Sequence, residues 1–219
     1  MNKLLSFVKL DIITIKPYFT WKTLLIMLAV TVSLSFNESQ NGLIIGFIMV
    51  LALTFSSYPF AVGEKNGIDA LYATLPVKRN CVVLGRYLFA LILDIAIGLL
   101  AVIISASLQL IMKNTFNLKE SFFIMLILLV SYSIFQAIQL PIYFKLGYAK
   151  AKLLAYLPVL VFPLLVLSTA SFFKESIISL FIWIMENQML TAIISAALWA
   201  VIVIVSYKIS LKLYMKRSF

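Results

Sequence analysis

Uncharged apolar runs alternate with short charged segments along most of this chain. A helix that crosses a bilayer needs about 20 apolar residues, because each residue rises about 1.5 Å and the hydrocarbon is roughly 30 Å thick. Such runs, three of which also contain one or two charged residues, predict transmembrane helices over residues 17–36, 42–62, 84–112, 122–144, 153–173 and 189–212. The first run is the shortest, and it reaches a spanning length only if Lys22 extends toward the lipid headgroups. The pattern therefore predicts an all-α membrane protein with six transmembrane helices.

The positions of the positive charges predict an orientation for these helices. The chain has 18 Lys and Arg against 8 Asp and Glu, which gives a net charge of +10. Both chain ends are rich in lysine, and an even number of spans places both ends on one side of the membrane. Since Lys and Arg accumulate in cytoplasmic segments, we expect cytoplasmic termini, with only Lys113, Lys119 and Lys174 outside. Topology explains the charge, and no nucleic acid partner is expected.

Composition narrows the class of protein further. Hydrophobic residues make up 63% of the chain, charged residues 12%, and the mean hydropathy is +1.10. These values exclude both a soluble globule and a disordered chain. The single cysteine, Cys81, and the absence of histidine disfavour a disulfide, a metal site and histidine-based catalysis. None of the seven glycines is followed by lysine, so the sequence has no P-loop. We expect neither enzyme activity nor a cofactor in this chain.

Two segments outside the predicted spans have a distinct pattern. Residues 1–16 place four polar side chains on one helical face: Asn2, Ser6, Lys9 and Lys16. This pattern is typical of an interfacial amphipathic helix, although Asp11 lies off the polar face. Residues 174–188 contain a mostly apolar stretch, Ser176 to Met185, that is too short to cross a bilayer. It predicts an outer re-entrant segment.

The cytoplasmic loop of residues 63–80, with the sequence GEKNGIDALYATLPVKRN, is the longest polar segment of the chain. Its apolar side chains recur at helical spacing: Ile68, Leu71, Tyr72 and Leu75. The spacing i, i+3, i+4 and i+7 predicts a short helix from Gly67 with one apolar stripe.

The polar residues of the same loop support that short helix. Asn66 can cap its start, and Asp69 supplies the early acid that the helix dipole favours. Pro76 forces the preceding residue out of the helical region and so ends the helix. Lys78 and Arg79 follow at the level of the inner headgroups. Such a helix either docks a partner protein or simply lies on the membrane surface.

The third predicted span carries a face of small and polar residues at intervals of three and four: Ala90, Asp94, Gly98, Ala101, Ser105 and Gln109. Asp94 lies well inside the span, where an acid costs on the order of 3 kcal/mol, so it should face protein or water. It could line a substrate pathway, together with Gly98, Ser105, Gln109, Gln136 and Gln139. Alternatively, it forms a hydrogen bond to a neighbouring span through Gln136 or Gln139.

The loop sequence resembles that of a known family. Glu64, Lys65, Asn66 and Gly67 before the predicted helix, and Leu75, Pro76, Val77, Lys78 and Arg79 after it, resemble the first cytoplasmic loop of ABC-2-type transporter permeases, particularly the small six-span bacterial kind. Lys78 departs from that pattern, in which a small hydroxyl residue is commoner. The interfacial helix and the outer re-entrant segment also match the layout of this family, which is the type V exporter architecture.

The resemblance implies a role for the loop. In that family the loop helix is a coupling helix that inserts into a groove of a separate ATPase subunit. The residues then expected to couple the chain to the ATPase are Glu64, Lys65, Asn66, Gly67, Ile68, Asp69, Leu71, Tyr72, Leu75, Pro76, Lys78 and Arg79. ATP and Mg²⁺ would bind the partner ATPase, and two ATPases and a second permease, identical or homologous, would complete the transporter.

The resemblance also implies a function in the bacterial cytoplasmic membrane. It is closest to permeases that export amphipathic peptides, the phenol-soluble modulin exporters among them, so we expect a role in toxin export and self-immunity. Export of small-molecule drugs or lipids is an alternative. A second alternative is a membrane immunity or assembly factor that binds a toxic peptide without transporting it. An intramembrane enzyme is disfavoured because one isolated carboxylate supplies no proton-transfer pair.

Overall fold

A computed structural model describes residues 3–18, 20–35, 41–68, 79–112, 117–170 and 187–216. These ranges contain seven α-helices and one short 3₁₀ turn, and no strand occurs within them. The helices are α1 (Lys3–Ile15), α2 (Trp21–Ser35), α3 (Asn41–Lys65), α4 (Arg79–Ile111), α5 (Leu118–Leu146), α6 (Tyr148–Ala170) and α7 (Gln188–Lys216). The predicted all-α class is confirmed.

Four segments of the described chain are long and apolar enough to cross a membrane: Gly42–Lys65, Arg79–Ile111, Leu118–Leu146 and Ile193–Lys216. They lie in α3, α4, α5 and α7, where the sequence predicts the second, third, fourth and sixth spans. The other two predicted spans fall on α2, of 15 residues, and α6, of 23 residues. At about 1.5 Å per residue, α2 covers only about 22 Å.

The described helix α2 begins later than the predicted first span. The predicted first span begins at residue 17, but Pro17 lies in the 3₁₀ turn Lys16–Tyr18. The backbone N–H of Thr20 donates to the Tyr18 carbonyl oxygen at 2.9 Å, directly after that turn. The helix α2 begins at Trp21, after this turn, and not at residue 17.

Among the described residues, two apolar clusters hold the helices together. The first joins α1, α3, α4 and α5 through buried side chains such as Val8, Ile48, Ile97 and Met125. The second lies where α3 ends and α4 begins, and it takes at least one buried residue from each of five helices: Phe60, Val83, Tyr143, Ala155 and Tyr214. Five helices therefore meet at the end of the bundle from which the 63–80 loop emerges.

The N-terminal helix α1 packs on α3 and α4. Its Val8, Asp11 and Ile15 are buried, whereas Leu10 and Ile13 are exposed. Phe7 is close to Gly85, where an added Cβ would lie 3.0 Å from the Phe7 Cβ. The absence of a side chain at residue 85 allows this approach, and α1 is fixed to the bundle along one face.

Other faces of the bundle are apolar and exposed. On α7 the exposed fraction is 70% for Ile193 and 59% for Leu198, and on α4 it is 63% for Ile103. Lipid chains are as apolar as these side chains, so such faces suit the hydrocarbon of a bilayer or another apolar subunit. Most of the predicted loop helix and nearly all of the predicted outer re-entrant segment, residues 174–188, lie outside the described residues.

Candidate functional site

The first residues of the 63–80 loop end helix α3. The backbone N–H of Asn66 donates to the Val62 carbonyl oxygen at 3.0 Å, as a last turn of helix requires. Gly67 follows with φ of 66°, a left-handed conformation that favours glycine and is common just after a helix. Lys65 and Asn66 are exposed, and Ile68 packs against the second cluster.

The remaining predicted coupling residues lie outside the described residues, Arg79 excepted: Asp69, Leu71, Tyr72, Leu75, Pro76 and Lys78. The predicted short helix from Gly67 to Leu75 therefore stays a prediction. The two ends of the loop, at Glu64 and Arg79, are described, and each makes a specific contact with another helix.

Glu64 contacts the start of α6. Its Oε2 accepts hydrogen bonds from the backbone N–H groups of Tyr148, at 2.5 Å, and Ala149, at 3.0 Å. The first N–H groups of a helix have no partner within the helix, and the residue before it usually supplies a capping side chain. Here that residue is Gly147, which has no side chain and alone separates α5 from α6. Glu64, which belongs to α3, therefore caps the start of α6.

Arg79 contacts the end of α7. Its Nη1 donates to the carbonyl oxygen of Met215 at 2.7 Å and to that of Tyr214 at 3.4 Å. The last carbonyl groups of a helix also have no partner within the helix, and they attract positive charge. The guanidinium thus binds the C-terminal turn of the last described helix.

The polar face of α4 is directed into the bundle. Asp94 has no exposed surface, and its Oδ1 accepts a hydrogen bond from Nε2 of Gln136 on α5 at 2.7 Å. Gly98 lies against the same helix, because an added Cβ there would be 3.1 Å from Cγ of Met125. At Asp94 and Gly98, this face of α4 packs against α5.

The other predicted pathway residues are also buried: Ser105, Gln109 and Gln139. Within the described ranges, neither the amide nitrogen nor the amide oxygen of Gln139 has a hydrogen-bond partner, and the same holds for Ser105 Oγ and Gln109 Oε1. No group of three His, Cys, Asp or Glu side chains in these ranges could hold a metal ion. Chemically, the arrangement offers hydrogen-bond donors and acceptors in an apolar surrounding.

A buried ion pair joins α1 to α4. Nε of Arg86 lies 3.4 Å from Oδ2 of Asp11, and each side chain is only 5% exposed. The guanidinium carbon of Arg86 also lies 4.6 Å from the centre of the Phe60 ring, a cation–π distance. The position of Asp11 off the polar face of its helix was the available indication in the sequence, because such a charge requires a partner inside the protein.

Hydrogen bonds also fix α7 to its neighbours. The Tyr87 hydroxyl on α4 lies 2.5 Å from Ser206 Oγ and 2.8 Å from Ser210 Oγ. Ser206 Oγ in turn donates to the Ala137 carbonyl oxygen, and the Trp199 indole N–H donates to Ser133 Oγ. Sequence reasoning did not identify these contacts, although the i, i+4 spacing of the two serines places them on one face of α7.

Comparison with known proteins identifies the family. The sequence profile of a family described as ABC-2 family transporter protein matches residues 6–215. No curated protein and no solved structure shows a significant match. Because the matched region covers nearly the whole chain and includes the 63–80 loop, the chain belongs to the ABC-2 transporter family as a multi-pass membrane permease subunit, which implies an ABC ATPase as its partner.

Proposed function

We propose that this permease is part of an ATP-driven exporter whose 63–80 loop docks on the ATPase. The observation that carries the proposal is the family match over residues 6–215, which includes this loop. The chain lacks a P-loop sequence, so ATP and Mg²⁺ would bind the partner. Two permeases and two ATPases would form the complete transporter.

Six spans with both termini in the cytoplasm are the topology we propose in a bacterial cytoplasmic membrane. Four long apolar helices support it, and α2 and α6 would supply the other two spans. The lysine-rich ends of the chain then lie on the same side as the loop. Arg79 at the start of α4 and Lys216 at the end of α7 agree with this orientation, since cytoplasmic segments are rich in such residues.

The position of the loop favours docking over simple contact with the membrane. It connects α3 to α4, and both helices supply side chains to both apolar clusters. Ile68 at the start of the predicted stripe packs against the second cluster, where five helices meet. A partner that moves the loop would therefore act on an end of the bundle where five described helices meet.

We propose amphipathic or hydrophobic peptides as the exported substrate. The apolar exposed faces of α4 and α7 would give the apolar side of such a peptide a surface similar to lipid, between two permease subunits. Asp94, Gly98, Ser105, Gln109, Gln136 and Gln139 would meet its polar side. Because these residues are buried, substrate would reach them only after the helices around them move apart.

The proposed substrate class is tested by ATP hydrolysis in a reconstituted permease–ATPase complex. The probes are a helical amphipathic peptide, a peptide of the same composition in scrambled order, and an unrelated hydrophobic dye. Saturable stimulation by the helical peptide alone is the expected result. Stimulation by the dye alone would instead indicate a small-molecule exporter. Intact basal hydrolysis without stimulation by either peptide would overturn the peptide assignment.

A further inference from the structure

The charges at the two ends of the 63–80 loop are on the unfavourable ends of their own helices. A helix carries partial positive charge at its N-terminus and partial negative charge at its C-terminus. Glu64 is an acid in the last turn of α3, and Arg79 is a base in the first position of α4. Within its own helix, each residue is therefore mildly repelled by the helix dipole.

Each of these charges is matched to the complementary end of a neighbouring helix. The Glu64 carboxylate binds two N–H groups at the positive end of α6. The Arg79 guanidinium binds the carbonyl groups of Met215 and Tyr214 at the negative end of α7. The unfavourable charges within α3 and α4 are thus explained by contacts between helices.

The start of α6 has no local side chain that could replace the Glu64 carboxylate. The first turn of α6 contains no acid, and Lys150 places a positive charge near the positive end of the helix. Gly147 supplies no capping side chain, and its φ of 77° and ψ of 173° belong to a conformation that favours glycine. An external carboxylate is therefore the group that satisfies these N–H groups in the described structure.

We propose that Glu64 and Arg79 are positioning residues that transmit movement of the loop to α6 and α7. The loop is covalently joined to α3 and α4, and these two contacts attach it to two further helices. A displacement imposed by the ATPase would then reach four helices. The inference rests on the proposed docking of the loop.

Hydrogen–deuterium exchange of the complete permease–ATPase complex in lipid nanodiscs tests this inference. Glu64→Ala is expected to accelerate exchange at the Tyr148 and Ala149 amides about tenfold, the effect of losing a charged cap. Glu64→Gln retains an acceptor oxygen and is expected to restore most of the protection. Glu120→Ala is the matched control, because it removes an exposed glutamate from the first turn of α5. It should leave exchange in α6 unchanged.

The effect of nucleotide on amide exchange distinguishes transmission of loop movement from a static capping role of Glu64 and Arg79. Exchange is compared between the ADP-bound and the vanadate-trapped complex, for wild type, Glu64→Ala and Arg79→Ala. We expect the wild-type difference in α6 to be lost with Glu64→Ala, and that in α7 with Arg79→Ala, while α3 and α4 keep theirs. Arg79→Lys retains the positive charge and should restore part of the difference in α7.

The possible results distinguish this inference from the proposed function. If both alanine variants keep the wild-type nucleotide-dependent differences in α6 and α7, the positioning role is refuted while docking stands. If wild type itself binds no ATPase, or shows no nucleotide-dependent difference in α3 and α4, the proposed docking fails and the inference fails with it. Should Glu64→Ala fail to fold, Arg79→Ala in the same two states decides the question, with loss of the nucleotide-dependent difference in α7 expected.

Discussion

The buried pair of Asp11 and Arg86 predicts a strong dependence of α1 on a single carboxylate. Asp11→Leu leaves a guanidinium that is 5% exposed without this negative partner. Breaking a buried ion pair by removing one member typically costs about 3–5 kcal/mol. Arg86 keeps its contact with the Phe60 ring, so part of the environment that favours its positive charge remains. We therefore expect a cost near the lower limit, about 3 kcal/mol.

The double variant Asp11→Leu/Arg86→Met separates the charge effect from the loss of packing. Replacing both members of a buried pair by apolar residues of similar size is often neutral. The double variant should therefore be more stable than Asp11→Leu by about 2 kcal/mol or more. Such non-additivity is the signature of a direct interaction.

Amide exchange in α1 measures both the destabilisation by Asp11→Leu and its recovery in the double variant. A helix of 13 residues is marginal on its own and depends on its packing. A loss of about 3 kcal/mol should accelerate exchange in α1 at least about 100-fold, since about 1.4 kcal/mol corresponds to a factor of ten. Acceleration of less than threefold by Asp11→Leu, or additive effects of the two single changes, would refute the reasoning.

Two further predictions concern the membrane interior and the junction between α5 and α6. Asp94→Asn keeps an acceptor for Gln136 but removes the carboxylate, so we expect normal assembly by size-exclusion chromatography and peptide export lowered about tenfold. Unchanged export would assign Asp94 to packing alone. Gly147→Ala places a side chain at φ of 77° and ψ of 173°, which costs about 1–3 kcal/mol. A melting temperature in detergent equal to that of wild type would contradict this.

The positions of the long helices could be predicted from the sequence, because a long run of apolar residues is stable in the hydrocarbon of a bilayer. The orientation of each helix within the bundle could not. Ile97 and Leu99 on α4 are similarly apolar, yet Ile97 is 6% exposed and Leu99 is 46% exposed. Contact with lipid and contact with protein favour the same residue types, so the pattern does not distinguish them.

Small and polar residues within a span indicated which helix face points inward better than the apolar residues did. The stripe that includes Asp94 and Gly98 could be identified because such residues are rarely exposed to lipid. The structure places both in the interior of the bundle. Which helix receives them depends on the packing of the whole chain, and the sequence left Gln136 and Gln139 as equal candidates. The hydrogen bond from Gln136 became evident only in three dimensions.

The contacts of Glu64 and Arg79 were beyond prediction for a different reason. The loop sequence indicates a role for both residues by family resemblance, but each one binds backbone groups of a distant helix. Backbone N–H and carbonyl groups are the same at every position, so no residue type marks the start of α6 or the end of α7 as the partner. Gly147, which has no capping side chain and directly precedes α6, was the available indication that this helix needs a cap from elsewhere in the chain.

Co-purification of the ATPase with loop variants tests the central claim, that residues 63–80 dock on an ABC ATPase. Leu71→Glu and Tyr72→Glu place charge on the predicted apolar stripe without changing any predicted span. We expect the partner ABC ATPase to be lost from both variants, while membrane insertion stays at the wild-type level. Full retention of the ATPase by both inserted variants would contradict it.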